Sequence, residues 1–131
     1  MVIDIKKHSK EKVKIYRSYR IHSARYLPNL EDGHKCKTMH GHTFNITIYL
    51  DGPINDKSGF VMDFFDIDKV VEKEIINKID HKVLNDVEGL KNPSSENLAI
   101  FIWNTLASKI DYLSKVTVSE DDGTGIEYSG K

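Results

Sequence analysis

The sequence predicts an α+β fold of element order β-β-α-α-β-β, an antiparallel sheet carrying two helices on one face. Three observations predict it. Two early runs alternate apolar and polar residues with period two, two middle runs repeat apolar residues at helical spacing, and two short strand-like runs close the chain around Asp-Gly-Thr-Gly.

The first strand, VKIYRSYRIHSARYL from Val13, is rich in β-branched and aromatic residues and puts Ile15, Tyr19 and Ile21 on one face. Arg25 shares that parity, whereas His22 faces the other way. PNLEDGHKCKTM follows with the Pro, Asn, Asp and Gly of a loop longer than a hairpin needs, and long loops in compact domains tend to be functional. The second strand, HTFNITIYLDG, alternates strictly, with His42, Phe44, Ile46, Ile48 and Leu50 on one face and Thr43, Asn45, Thr47 and Tyr49 on the other. Gly52 and Pro53 end it.

GFVMDFFDIDKVVEKEIINKID changes period: Ile67, Val70, Val71, Ile75 and Ile79 fall at helical spacing, and Asp66 and Asp68 enrich the first turn. NPSSENLAIFIWNTLASKI opens a second helix with a Ser94 or Ser95 cap and the acidic Glu96, then places Leu98, Ile102, Leu106 and Ile110 along one stripe. SKVTVSED and GIEYSG form the closing hairpin. Such a sheet leaves its edge strands unpaired, and oligomerisation is one way to cover them.

A chain of 131 residues with 39% hydrophobic content supports one domain over 1–131, with residues 1–12 as an N-terminal extension. The basic run from Lys6 to Lys14 reads as a solvated arm or strand end. A formal net charge of -1 argues against a nucleic-acid surface, and no apolar run approaches the roughly 20 residues of a membrane span. The N-terminus lacks the apolar stretch of a secretory signal and a lone cysteine forms no intramolecular disulfide, so a soluble, cytoplasmic protein is expected.

The chemistry concentrates in CKTMHGHTFN. His40 and His42 are two apart at the start of a strand, so both imidazoles project from one face, a metal-ligand spacing. The plainer alternative is a pair of surface or core histidines. Gly41 lets the backbone turn, and Cys36 and His34 lie close by in the loop.

CKTMHGHTFNI, GFVMDF, DHKVLND, NPSSENLAIFIW and VTVSEDDGTGIEY stand in the order and spacing of the 6-pyruvoyl-tetrahydropterin synthase family, which the chain resembles over about residues 15 to 129. It is most similar to the 6-carboxy-5,6,7,8-tetrahydropterin synthase branch of queuosine biosynthesis, because three residues separate Cys36 from His40. The resemblance implies a tunnelling fold (T-fold), assembly into homo-trimers or hexamers with active sites between subunits, a Zn2+ cofactor, and a pterin triphosphate substrate. The implied enzyme is a lyase that converts 7,8-dihydroneopterin triphosphate to 6-carboxy-5,6,7,8-tetrahydropterin, releasing acetaldehyde and triphosphate. The alternatives are a 6-pyruvoyl-tetrahydropterin synthase and a non-catalytic pterin-binding paralogue.

The resemblance also carries roles. Cys36 matches the catalytic thiol, and Asp80 with His81 match the pair that completes the proton-transfer machinery. Glu120 matches the glutamate that anchors the pterin, and its parity with Val116 and Val118 agrees with an inward-facing acid. Ser94 and Ser95 match a hydroxyl pair near the ligand, although helix capping explains them equally well. Asp63 and Phe64 match a structural Asp-Phe pair at the start of the first helix.

One departure matters. The family pattern has Ala-Ala-His at the end of the first strand, whose histidine is the third zinc ligand, whereas this chain has Ser-Ala-Arg. Arg25 stays protonated and donates no lone pair to a metal. His22 faces the wrong side, so His34 is the third-ligand candidate beside His40 and His42. The remaining options are a two-histidine site completed by water, Cys36 or substrate, or no metal, with Arg25 supplying charge toward the substrate triphosphate or the Cys36 thiol.

Overall fold

The computed structural model describes residues 11–121 and 123–131. Most of the expected N-terminal extension, including Lys6 to Lys10, lies outside the described residues, while Lys12 and Lys14 are exposed positions of the first strand. Strands β1 (Lys12–Arg25), β2 (His40–Pro53), β3 (Leu113–Glu120) and β4 (Gly125–Tyr128) form one antiparallel sheet in the order β1-β2-β3-β4. Between β2 and β3 come α1 (Phe64–Val71), a π-helical turn (Glu72–Ile76), α2 (Asn77–Ile79) and α3 (Ser95–Leu106). The α+β order predicted from periodicity is the order observed.

The period-two residues do what alternation requires. Phe44, Ile46, Ile48 and Leu50 of β2 are fully buried, as are Val116 and Val118 of β3, and they meet the helices in one core cluster. Both helices present a buried stripe to this face: Ile67, Val71, Ile75 and Ile79 from the first segment, and Leu98, Ile102 and Leu106 from α3.

The first stripe has a spacing of four throughout, which an ideal helix of 3.6 residues per turn would carry progressively around its axis. The π-helical turn at Glu72–Ile76 widens the winding and keeps all four side chains against the sheet. The expected single helix is therefore α1 and α2 joined through that turn.

Side-chain caps begin α1 and α3. The Asp63 side chain accepts the Phe65 N–H at 2.8 Å, and the Ser94 hydroxyl accepts the Asn97 N–H at 3.1 Å, so Ser94 rather than Ser95 is the cap of α3. Asp66 is the acid of the first turn of α1. Asp68 instead turns to the sheet, accepting Arg17 Nε at 2.9 Å and the Tyr19 hydroxyl at 2.6 Å.

The edge of β1 is not free along its whole length. The His81 N–H donates to the His22 carbonyl at 2.7 Å, the Ala24 N–H donates to the Lys82 carbonyl at 2.9 Å, and Ala24 and Val83 form a parallel bridge. Residues 81–83 thus cover the C-terminal end of that edge. Among the described residues no helix is long and apolar enough to cross a membrane.

Candidate functional site

Directly opposed residues of paired strands share a face. The pairings Arg25↔His40, Ser23↔His42 and Phe44↔Glu120 therefore put Arg25, His40, His42 and Glu120 on the core-facing side, at one end of the sheet. The apolar rows of β2 and β3 run directly into this polar end.

Arg25 is only 5% exposed. Its Nη2 forms an ion pair with the Glu120 carboxylate, and its Nη1 donates to the Pro93 carbonyl at 3.1 Å and to the Ser95 hydroxyl at 3.4 Å. The guanidinium carbon lies 5.1 Å from the centroid of the Phe44 ring. The Ser95 hydroxyl also reaches Glu120 at 3.5 Å, and His42 Nδ1 is 3.6 Å from the same carboxylate. A buried carboxylate requires donors, and this chain supplies them from within.

The His40 and His42 rings are 4.4 Å apart and steeply tilted, at 75°. His40 Nδ1 lies 2.6 Å from the Thr38 carbonyl, which only accepts, so the proton belongs on Nδ1. His40 Nε2 is buried and has no hydrogen-bond partner among the described residues, and the same holds for Arg25 Nε. Beside this cluster a pocket of about 450 Å³ is bordered by Arg25, Ser94, Ser95, Glu96, Glu120 and Gly125.

A second cluster gathers at the end of α2. Asp80 Oδ1 accepts the His22 backbone N–H at 3.0 Å, and Oδ2 is 3.0 Å from His81 Nδ1. Burial alone would raise the Asp80 carboxyl, but the His22 N–H and the His81 ring outweigh it and hold the group below the usual carboxylate range. Asp80 is thus a carboxylate that orients an imidazole. The His81 backbone is left-handed, with φ 57°, a conformation that costs about 1–2 kcal/mol and is secured by its bond to the His22 carbonyl. The His22 ring stands 6.1 Å from that of His81, with Nδ1 3.0 Å from the Thr43 hydroxyl. His22, His42, Thr43 and His81 all border one open cleft of about 590 Å³.

Cys36 lies in a short 3-10 turn, Lys35–Lys37. Its carbonyl accepts the Leu27 N–H at 2.8 Å, tying the loop to the exit of β1, and its side chain is half-buried. His34 is exposed and caps this turn, its Nδ1 accepting the Cys36 N–H at 3.0 Å. The structure does not bring His34 into a group with His40 and His42. Nor does a side-chain hydrogen bond join Cys36 to Asp80 or His81 within one chain.

One residue of this region was set aside as a ligand on its parity, and another was not singled out by sequence. His22 faces away from the core as its parity requires, yet its main chain holds both Asp80 and His81. Asn85, 6% exposed, accepts the Tyr26 N–H at 3.0 Å and donates to the carbonyls of Tyr26 at 2.8 Å and Lys91 at 3.5 Å, clamping the chain where it leaves β1.

A catalytic zinc ion normally takes three protein donors and keeps one open position. The side chain across the ladder from His40 is a guanidinium without a lone pair, and the nearby Glu120 carboxylate is ion-paired to it. Among the described residues no three His, Cys, Asp or Glu side chains are arranged to hold a metal. The donor set does not fit the three-ligand zinc site that the resemblance implies.

Comparison with known proteins agrees with the fold. A protein of Archaeoglobus fulgidus, provisionally named 6-carboxy-5,6,7,8-tetrahydropterin synthase, is 38% identical over 91 residues, covering 69% of this chain and 76% of the relative. The 6-pyruvoyl tetrahydrobiopterin synthase of Drosophila melanogaster is 34% identical over 122 residues, covering 86% and 73%. Among solved structures, the 6-pyruvoyl tetrahydropterin synthase of Caenorhabditis elegans superimposes with a TM-score of 0.84 at 28% identity, over 92% of this chain and 97% of that one. The fold is therefore the T-fold of these proteins. The family model described as 6-pyruvoyl tetrahydropterin synthase matches residues 14–131, from the third residue of β1 to the last of the chain, and the chain belongs to that family.

Proposed function

We propose that this chain is a pterin-processing lyase that takes 7,8-dihydroneopterin triphosphate and water to 6-carboxy-5,6,7,8-tetrahydropterin, acetaldehyde and triphosphate, a step toward queuosine precursors. One observation carries the reading: an inward-facing carboxylate, Glu120, on the border of a pocket of about 450 Å³, in a chain that belongs to the family. Relatives bearing the 6-carboxytetrahydropterin synthase name and the short gap from Cys36 to His40 support the carboxy product.

In this reading Glu120 accepts the 2-amino and N3–H edge of the pterin, with Ser95 and Arg25 fixing the carboxylate. Ser94 serves as the helix cap at the pocket border. Cys36 moves the proton that opens the substrate side chain to elimination, and His81, oriented by Asp80, is the second acid-base group. No side-chain hydrogen bond joins Cys36 to Asp80 or His81 among the described residues, and the reading places the reaction between subunits of a homo-oligomer, trimer or hexamer, which also covers the sheet edges left open.

Incubation with 7,8-dihydroneopterin triphosphate, with acetaldehyde measured by a coupled reductase and pterins separated by chromatography, tests the reading. Acetaldehyde and 6-carboxytetrahydropterin in equal amounts are expected, and Cys36→Ser lowers turnover by about 100-fold or more. A 6-pyruvoyl product without acetaldehyde overturns the carboxy assignment. The second reading, a pterin-binding paralogue without turnover, is favoured by Arg25 at the place of a metal ligand, and it predicts binding with neither product.

A further inference from the structure

The two imidazoles at the end of β2 face a fixed cation. Directly opposed residues of paired strands have Cβ atoms only about 5 Å apart, and Arg25 is directly opposed to His40. Its guanidinium is not a side chain that swings aside. It is bonded to the Pro93 carbonyl, the Ser95 hydroxyl and the Glu120 carboxylate, and it stacks on the Phe44 ring.

We propose that Arg25 replaces the metal ion in this chain: the guanidinium is the resident positive charge of the site, and the His40–His42 pair does not retain zinc. Three physical points carry this. A divalent cation seated on His40 and His42 would have a second, immobile positive charge beside it in a largely water-excluded corner, where like charges repel strongly. The carboxylate within reach of that corner, Glu120, is already committed to the guanidinium. Two protein donors alone hold zinc weakly, because the ion gains too little to offset its own dehydration.

The exchange also leaves a mark on the residues that remain. Arg25 Nε–H, a donor, and His40 Nε2, an acceptor, are buried without hydrogen-bond partners among the described residues, on two residues paired across the ladder.

Zinc binding tests this directly and does not depend on which reaction the protein catalyses. The chain is purified without chelators and dialysed against buffered ZnCl2, its zinc content is measured by mass spectrometry, and its affinity is measured by competition with a chromophoric chelator. The native chain is expected to hold well under one zinc per chain. Arg25→His, which restores an imidazole at the same ladder position, is expected to hold about one, with affinity raised roughly 100-fold or more. One zinc per native chain, lost in His40→Ala/His42→Ala and unaffected by Arg25→His, overturns the proposal. Should Arg25→His fail to fold by circular dichroism, the native chain against His40→Ala/His42→Ala still decides. Equal zinc content in those two supports the replacement, and a loss of one zinc per chain in the double variant refutes it.

Discussion

Arg25→Met removes one half of a buried ion pair while keeping most of the aliphatic stem against Phe44. The Glu120 side chain is 15% exposed in the folded chain, so it would keep a carboxylate in a largely dry corner with the Ser95 hydroxyl and the edge of a pocket as its remaining support. Breaking a buried pair from one side costs about 3–5 kcal/mol, and the residual support places this case near the lower end, at about 3 kcal/mol. Arg25→Met with Glu120→Gln leaves no unpaired charge, and its cost should fall to about 1–2 kcal/mol, for the lost bond to the Pro93 carbonyl and an imperfectly satisfied amide. Urea unfolding of the four proteins at one fixed concentration, followed by circular dichroism, closes the double-mutant cycle. A single-variant loss below about 1 kcal/mol, or additive losses in the double variant, would refute the view that Arg25 and Glu120 stabilise the fold as a buried ion pair.

Three further predictions rest on single groups. Asn85→Ala strips the Tyr26 N–H and carbonyl of their buried partner and should cost about 2–4 kcal/mol in the same unfolding assay. Asp80→Asn keeps an acceptor for the His22 N–H but removes a carboxylate whose folded pKa lies below its unfolded value. The stability it contributes is present above the unfolded value near 3.9 and is lost as pH falls through the folded one, so native and variant should converge at acid pH and differ at pH 6. Tyr19 is shifted the other way, its hydroxyl pushed up first by burial and then by its bond to Asp68. As pH rises above the ordinary tyrosine value near 10, the unfolded chain ionises this group before the folded one does. The native chain should therefore lose stability there relative to Tyr19→Phe, in unfolding curves recorded between pH 8 and about pH 11.

What was legible in the sequence was whatever depends on local period. Strict alternation in β2 named its buried face, and parity alone pointed Arg25 inward and His22 outward. The partner of Arg25 was not legible, because Glu120 is 95 residues away and meets it only through the pairing of both strands with β2. Asn85 carries no periodic signal, since a single amide in Leu-Asn-Asp looks like any polar turn until the strand exit it clamps is known. His34 read as a ligand because of its neighbours. A histidine is an uncommon cap, and its use of Nδ1 on the Cys36 N–H shows only in three dimensions. The covered edge of β1 escaped for the same reason: Asp-His-Lys after a helix reads as a charged terminus, and nothing local says that it runs alongside a strand.

The wide turn at Glu72–Ile76 also makes the length of this helical segment a fixed quantity. Deleting one residue there would let the helix relax to ordinary winding, but everything downstream would rotate by about 100° and retreat by about 1.5 Å. Asp80 would leave the His22 amide and His81 would leave the edge of β1. The loop before β2 or the tip of the closing hairpin can gain or lose a residue without moving that pair, whereas this helix cannot. Variation in length among functional descendants of this chain should therefore fall in the loops and spare the span from Asp63 to His81.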